Sequence, residues 1–175
     1  MHLYHDITPG TAEKLIAVIE IPKGSKVKYE VDKKTGTIAV DRILSCEAGY
    51  PENYGFVPQT HYEDGDPLDV VVVSDHALAP GTIVEVRPIG VMHMNDNGET
   101  DDKIICVIAS DPAFKTTKNL TDLSVTHVEA IKHFFSTYKQ KEGKKVVIDG
   151  FAGVDIIPQM IEKSIREYKA KWAEA

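Results

Sequence analysis

Four consecutive valines at positions 70–73, preceded by Asp64, Asp66 and Asp69 in the stretch EDGDPLDVVVVSD, constrain this chain more than any other feature. β-Branched side chains fit a pleated surface, and Gly65 and Pro67 break any helix that would run into the valines. The run is therefore expected as a buried strand, entered through a turn that carries three carboxylates. Like charges so close together repel and raise one another's pKa unless a cation lies among them. The stretch thus raises the expectation of a metal site at the mouth of a core strand. A calcium EF-hand is excluded, because that loop needs an oxygen ligand where Leu68 stands and glycine where Asp69 stands.

Around this strand the chain reads as further short strands between turn signals: LIAVIEI, KVKYEVD, TIAVDRIL, TIVEVRPIGVMHM and KIICVIA. Gly, Pro, Asn and Asp gather in the segments between them, among which GYPENYGFVP and NDNGETDD read as loops. A mostly antiparallel β body is expected. After SDPAFKTTKNL the pattern changes. Thr121 or Asp122 can cap a helix whose apolar face carries Val128, Ile131, Phe135 and Tyr138 at three- and four-residue spacing. GKKVVIDGF reads as one more strand, and IIPQMIEKSIREYKAKW as a second amphipathic helix with Ile157, Ile161, Ile165, Tyr168 and Trp172 in its apolar stripe. The expected class is mainly β with flanking helices (α+β), as a single domain over residues 1–175. A small closed barrel suits this pattern, an OB-like one being a candidate among several between which periodicity does not choose.

A net charge of −7 argues against a sequence-independent nucleic-acid binder, whose affinity comes from neutralising phosphates with Lys and Arg. Cys46 and Cys106 show no metal-ligand spacing and no disulfide framework, which suits a reducing, cytoplasmic setting. The N-terminal residues lack the pattern of a secretory signal, and no apolar stretch is long enough for a membrane helix. The histidines include no HExxH, so a zinc hydrolase is not expected.

Other charged residues fall into a pattern of their own. Asp96, Asp101 and Asp102 sit in a second acidic segment, and Asp101 shares a face with Lys103 if that segment is extended. Lys28 and Glu30 share a face by the same two-residue period, with Arg42 on the next strand. Glu20 lies in the apolar run AVIEIP, where an ionised carboxylate needs a partner. Tyr50 and Tyr54 flank the YPEN turn, and Tyr138 and Lys139 close the segment FFSTYK. Tyrosine hydroxyls can donate to a phosphate oxygen.

Taken together, IEIP, KYEVDKKTG, VDR, YPENYGF, DGDPLDV, the spacing of Asp96, Asp101 and Lys103, and FFSTYK resemble the motif set of the soluble family I inorganic pyrophosphatases of bacterial type. The resemblance runs from about residue 15 to residue 139. It implies a five-stranded OB-like closed barrel with two α-helices, hydrolysing pyrophosphate to two orthophosphates with Mg2+, for which Mn2+ or Zn2+ would be the substitutes. It implies homo-oligomers, in bacteria usually a homohexamer. Carried over residue by residue, Asp64, Asp69 and Asp101 would be the main metal ligands, with Asp96, Glu20 and Glu30 acting through water. Asp66 would be the general base. Lys28, Arg42, Tyr54, Lys103, Tyr138 and Lys139 would grip the phosphates, with Tyr50 assisting. Glu52, His93, Asn97 and Asp102 depart from the pattern and are expected to tune metal affinity.

Two other readings compete. An OB-like module for single-stranded nucleic acid would need a basic groove with stacking aromatics, which the carboxylates oppose. An inactive calcium-binding scaffold would have no use for Lys28, Arg42, Lys103 and Lys139 together.

Overall fold

The computed structural model describes residues 1–172. Its strands are β1 (Leu15–Ile21), β2 (Val27–Val31), β3 (Ile38–Ile43), β4 (Asn53–Phe56), β5 (Asp69–Val73), β6 (Ile83–Asp96), β7 (Glu99–Thr100), β8 (Lys103–Ile108) and β9 (Val146–Ala152). Two α-helices follow the expected order, α1 (Val125–Thr137) before β9 and α2 (Ile157–Trp172) after it.

Five strands pair in a ring, β1 to β4 to β5 to β8 to β6 and back to β1. Every junction is antiparallel except β5–β8, which is parallel. The long strand β6 makes the closure possible because its first half pairs with β1 and its second with β9, while β8 runs along its middle. Its register shifts between Pro88 and Gly90, where proline cannot donate to the ladder. β2 and β3 form a separate hairpin over one end of this sheet.

The valine run is buried on both sides. Val70 and Val72 join a cluster with Leu15, Ile104 and, from α2, Ile157 and Ile161. Val71 and Val73 join a second with Ile105, Val107 and, from α1, Ile131, Phe134 and Phe135. Period-two alternation thus sends neighbouring valines into different clusters, and an unbroken apolar run is what a strand covered on both faces requires. Lower on α2, Tyr168 and Trp172 pack on a third cluster of Leu3, Tyr4, Val18, Val31 and Phe56.

Two expectations need correction. YPENYGF is no simple loop: residues 53–56 form β4, fully buried between β1 and β5. Asn53 and Gly55 are poor strand formers, but a Cβ at Gly55 would lie 2.0 Å from the Val18 carbonyl oxygen, so close backbone packing selects glycine there. The cap of α1 is neither Thr121 nor Asp122 but Ser124, whose hydroxyl accepts from His127 N–H. Asp122 instead accepts from the backbone N–H groups of Lys118 and Asn119, both at 2.9 Å, and closes the preceding turn.

Both cysteines are free. Among the described residues no helix is long and apolar enough to cross a membrane.

Candidate active site

A cleft of about 350 Å³ opens between the β2–β3 hairpin, the turn before β5, the β6–β8 segment and the C-terminal end of α1. Its lining contains Glu20, Lys28, Glu30, Arg42, Tyr50, Tyr54, Asp64, Asp66, Asp69, Asp96, Asp101, Tyr138 and Lys139. Every site residue expected from the sequence therefore converges here except Lys103, which lies under the floor.

The floor is built by the parallel pairing of β5 with β8, which sets Asp69 opposite Lys103. Asp101 precedes β8 and Asp64 comes from the turn that leads into β5, so two separate stretches of chain meet. One carboxylate oxygen from each of Asp64, Asp69 and Asp101 lies within 4.8 Å of the others. Gly65, at φ +87°, lets the turn close tightly, with Tyr62 N–H donating to the Asp66 carbonyl at 2.7 Å and Asp66 N–H to Asp64 Oδ1 at 3.0 Å.

Lys103 is 1% exposed, and its ammonium donates to Asp69 Oδ2 and Asp101 Oδ1, each at 2.7 Å. Burial alone would lower its pKa, but the two carboxylates reverse this and hold it well above the usual lysine range. The same Asp69 oxygen accepts from the Tyr54 hydroxyl at 2.5 Å. Burial raises the pKa values of Asp64, Asp69 and Asp101, and their mutual repulsion adds to the shift. Glu20, 7% exposed, accepts from Val31 N–H at 2.7 Å, and burial pushes its carboxyl up to about 8.

Lys28, Arg42 and Lys139 line the walls, each held by an acid. Lys28 pairs with Glu30 and with Asp41 at 3.3 Å, and Lys139 pairs with Asp96. Arg42 reaches Asp41 at 2.6 Å and offers two nitrogens to Glu142 at 3.2 and 3.3 Å. Sequence reasoning missed Lys33, which pairs with Asp66, and also Asp41, Glu99 and Lys144 on the cleft lining. Asp41 was within reach, since it stands in VDR beside Arg42. Lys33 sits in a turn and Lys144 in the short link before β9, where a lysine carries no distinguishing signal. An aromatic wall of Tyr50, Tyr54 and Tyr138 is backed by Phe134 and Phe135, with Tyr50 and Phe134 centroids 4.6 Å apart.

The donor set suits a hard divalent cation: carboxylate oxygens predominate, and among the described residues no sulfur or imidazole joins them. Asp96 Oδ1 is buried without a hydrogen-bond partner, an oxygen that a cation or its water would satisfy.

The residues that depart from the family pattern lie elsewhere. Asp102 is turned away from the cleft, accepting from Tyr62 OH at 3.0 Å and Met94 N–H at 3.1 Å and bonding His93 Nδ1 at 2.9 Å. Glu52, just before β4, is buried in a polar network with Lys23 and His127. Asn97, at φ +54°, forms the β6–β7 turn with Gly98. None of these four lines the cleft, so any tuning of metal affinity by them acts through the residues that do.

The inorganic pyrophosphatase family matches residues 17–169. The chain is 47% identical over 170 residues to soluble inorganic pyrophosphatase 2 of Chlamydomonas reinhardtii, covering 96% of this chain and 88% of that protein. It is 45% identical to the soluble inorganic pyrophosphatase of Zea mays, covering 95% and 79%. Among solved structures, the Helicobacter pylori inorganic pyrophosphatase superposes with a TM-score of 0.89 at 41% identity, covering 94% of this chain and 99% of that one. The Thermus thermophilus inorganic pyrophosphatase does so with a TM-score of 0.91 at 38% identity, covering 97% and 99%.

Proposed function

Because the chain belongs to the inorganic pyrophosphatase family and hydrolyses inorganic pyrophosphate, we propose that it does so with Mg2+, by attack of a metal-activated water in the cleft described above. The observation that carries this reading is the convergence of Asp64, Asp69 and Asp101 beside the orphaned Asp96 oxygen and a wall of lysine and arginine. Asp64, Asp69 and Asp101 would hold the ions directly, with Asp96, Glu20 and Glu30 assisting through water. Divalent ions bound there would supply charge neutralisation for the anionic substrate and a water acidified toward neutrality.

Asp66 sits at the open end of the turn and accepts the remaining proton of the attacking water. Pro67 biases its backbone toward an extended conformation, which aims the carboxylate. Its ion pair with Lys33 then marks a resting arrangement that gives way when substrate enters. Lys28, Arg42, Lys139, Tyr54 and Tyr138 hold the phosphates, with Tyr50 supporting from behind. Arg42 suits the task because its fork donates two parallel bonds, as it does to Glu142. Lys103 contributes through Asp69 and Asp101, fixing them and balancing their charge, and its effect on the phosphates is electrostatic.

The strand ring is read as an OB-like closed barrel and residues 1–175 as one domain, assembling as a homohexamer in the cytoplasm; Mn2+ or Zn2+ would substitute for Mg2+. Phosphate release from pyrophosphate, ATP and tripolyphosphate, measured with and without Mg2+, tests the proposal. Mg2+-dependent release selective for pyrophosphate supports it. Release that persists in chelator would sink the metal-activated route.

A further inference from the structure

Glu52 is 3% exposed, and its carboxylate is shared among three segments of chain. It accepts from Lys23 Nζ at 3.1 Å, from Ser74 N–H at 3.3 Å, and bonds His127 Nδ1 at 2.8 Å. The next residue, Asn53, is fully buried and extends the network: its oxygen accepts from the N–H groups of Lys23 and Leu78, and its amide donates to the His76 carbonyl at 2.9 Å. A buried carboxylate with this many donors is costly to break, since loss of one partner leaves charge incompletely compensated.

His127 lies in the first turn of α1, and Tyr138 caps the same helix at its other end. The two are about three turns apart at 3.6 residues per turn, and so lie on one face. That face is fastened at both ends to the same short stretch of chain. His127 meets Glu52, while Phe134 and Tyr138 pack on Tyr50, and Phe135 on Tyr54. The far fastening carries Tyr138 and Lys139 into the cleft; the near one touches nothing in it.

We propose that Glu52 and His127 are positioning residues for substrate binding: their contact sets how α1 lies against β4, and thereby where Tyr138 and Lys139 stand in the cleft. This rests on the reading of Lys139 and Tyr138 as phosphate-holding groups. A small displacement of a substrate-holding group is enough to weaken binding, whereas the carboxylate floor is built from β5 and β8 and stays in place.

The test compares pyrophosphate kinetics of His127→Ala, His127→Asn and Lys139→Ala at saturating Mg2+, with thermal unfolding of each. Asparagine keeps a donor near the position of Nδ1. His127→Ala is expected to raise KM roughly 5-fold with kcat within about 2-fold of wild type, and His127→Asn to restore most of the loss. A fall in melting temperature with unchanged KM in His127→Ala, or equal KM increases in the alanine and asparagine variants, would overturn the inference. An unchanged KM in Lys139→Ala overturns the underlying reading and the inference with it. A raised KM there with a wild-type KM in His127→Ala overturns the inference alone.

Discussion

Asp69 and Lys103 face each other across the parallel β5–β8 pair, carboxylate Oδ2 to ammonium Nζ at 2.7 Å, with Asp101 completing the contact from the other side. A buried lysine between two carboxylates makes the floor of the cleft a preset charge arrangement. It leaves a net negative site where a cation belongs, while preventing the full repulsion of three bare acids.

Replacing that lysine should expose the imbalance. Lys103→Met is expected to lower stability in chelator by roughly 3 kcal/mol, the range for breaking a buried ion pair, and Mg2+ should recover part of the loss. Urea unfolding with and without Mg2+ measures both. Equal stability to wild type in chelator would contradict the charge-balancing role.

Asp66 is exposed, and its side chain supports no core packing. Asp66→Asn should therefore fold and melt like wild type while turnover falls about 100-fold or more, the usual scale for losing a general base. Phosphate release at saturating Mg2+ and a melting curve decide it; wild-type turnover would remove Asp66 from the mechanism.

Burial raises Glu20 from 4.5 to about 8, so the folded state holds its proton more tightly than the unfolded chain does. The resulting stabilisation is complete below the unfolded value of 4.5 and is lost as pH rises through about 8. Metal-free protein should thus lose stability between those limits, and Glu20→Gln, which cannot ionise, should lose less. Melting temperatures in chelator across that window, compared between the two proteins, give the difference. Parallel curves would show that Glu20 carries no such proton.

Gly55 tests the missed strand. Its Cβ position falls 2.0 Å from the Val18 carbonyl, so Gly55→Ala must push β4 away from β1. Destabilisation of about 1–3 kcal/mol is expected from such overpacking. Because β4 carries Tyr54, activity should fall as well. A variant as stable as wild type would mean the strands part without cost.

Much of this was legible in the sequence because it depends on local rules. The valine run announces a strand covered on both faces, and the acids of DGDPLD announce a cation-hungry turn through their spacing alone. The helices α1 and α2 follow from apolar periodicity, and the resemblance to known motifs picks out the residues that line the cleft. Only tertiary structure decided the rest. β4 is a strand because β1 and β5 flank it and leave room for glycine alone, which overrides its weak propensity. Asp101 and Asp102 are chemically identical neighbours, yet one enters the cleft and the other bonds His93 and Tyr62. Lys103 looks like any phosphate-binding lysine until β5–β8 pairing buries it between two acids. Sequence determines which groups are available and how strands and helices alternate; which side of a sheet a group faces, and which charge stands opposite, depends on pairing between distant segments.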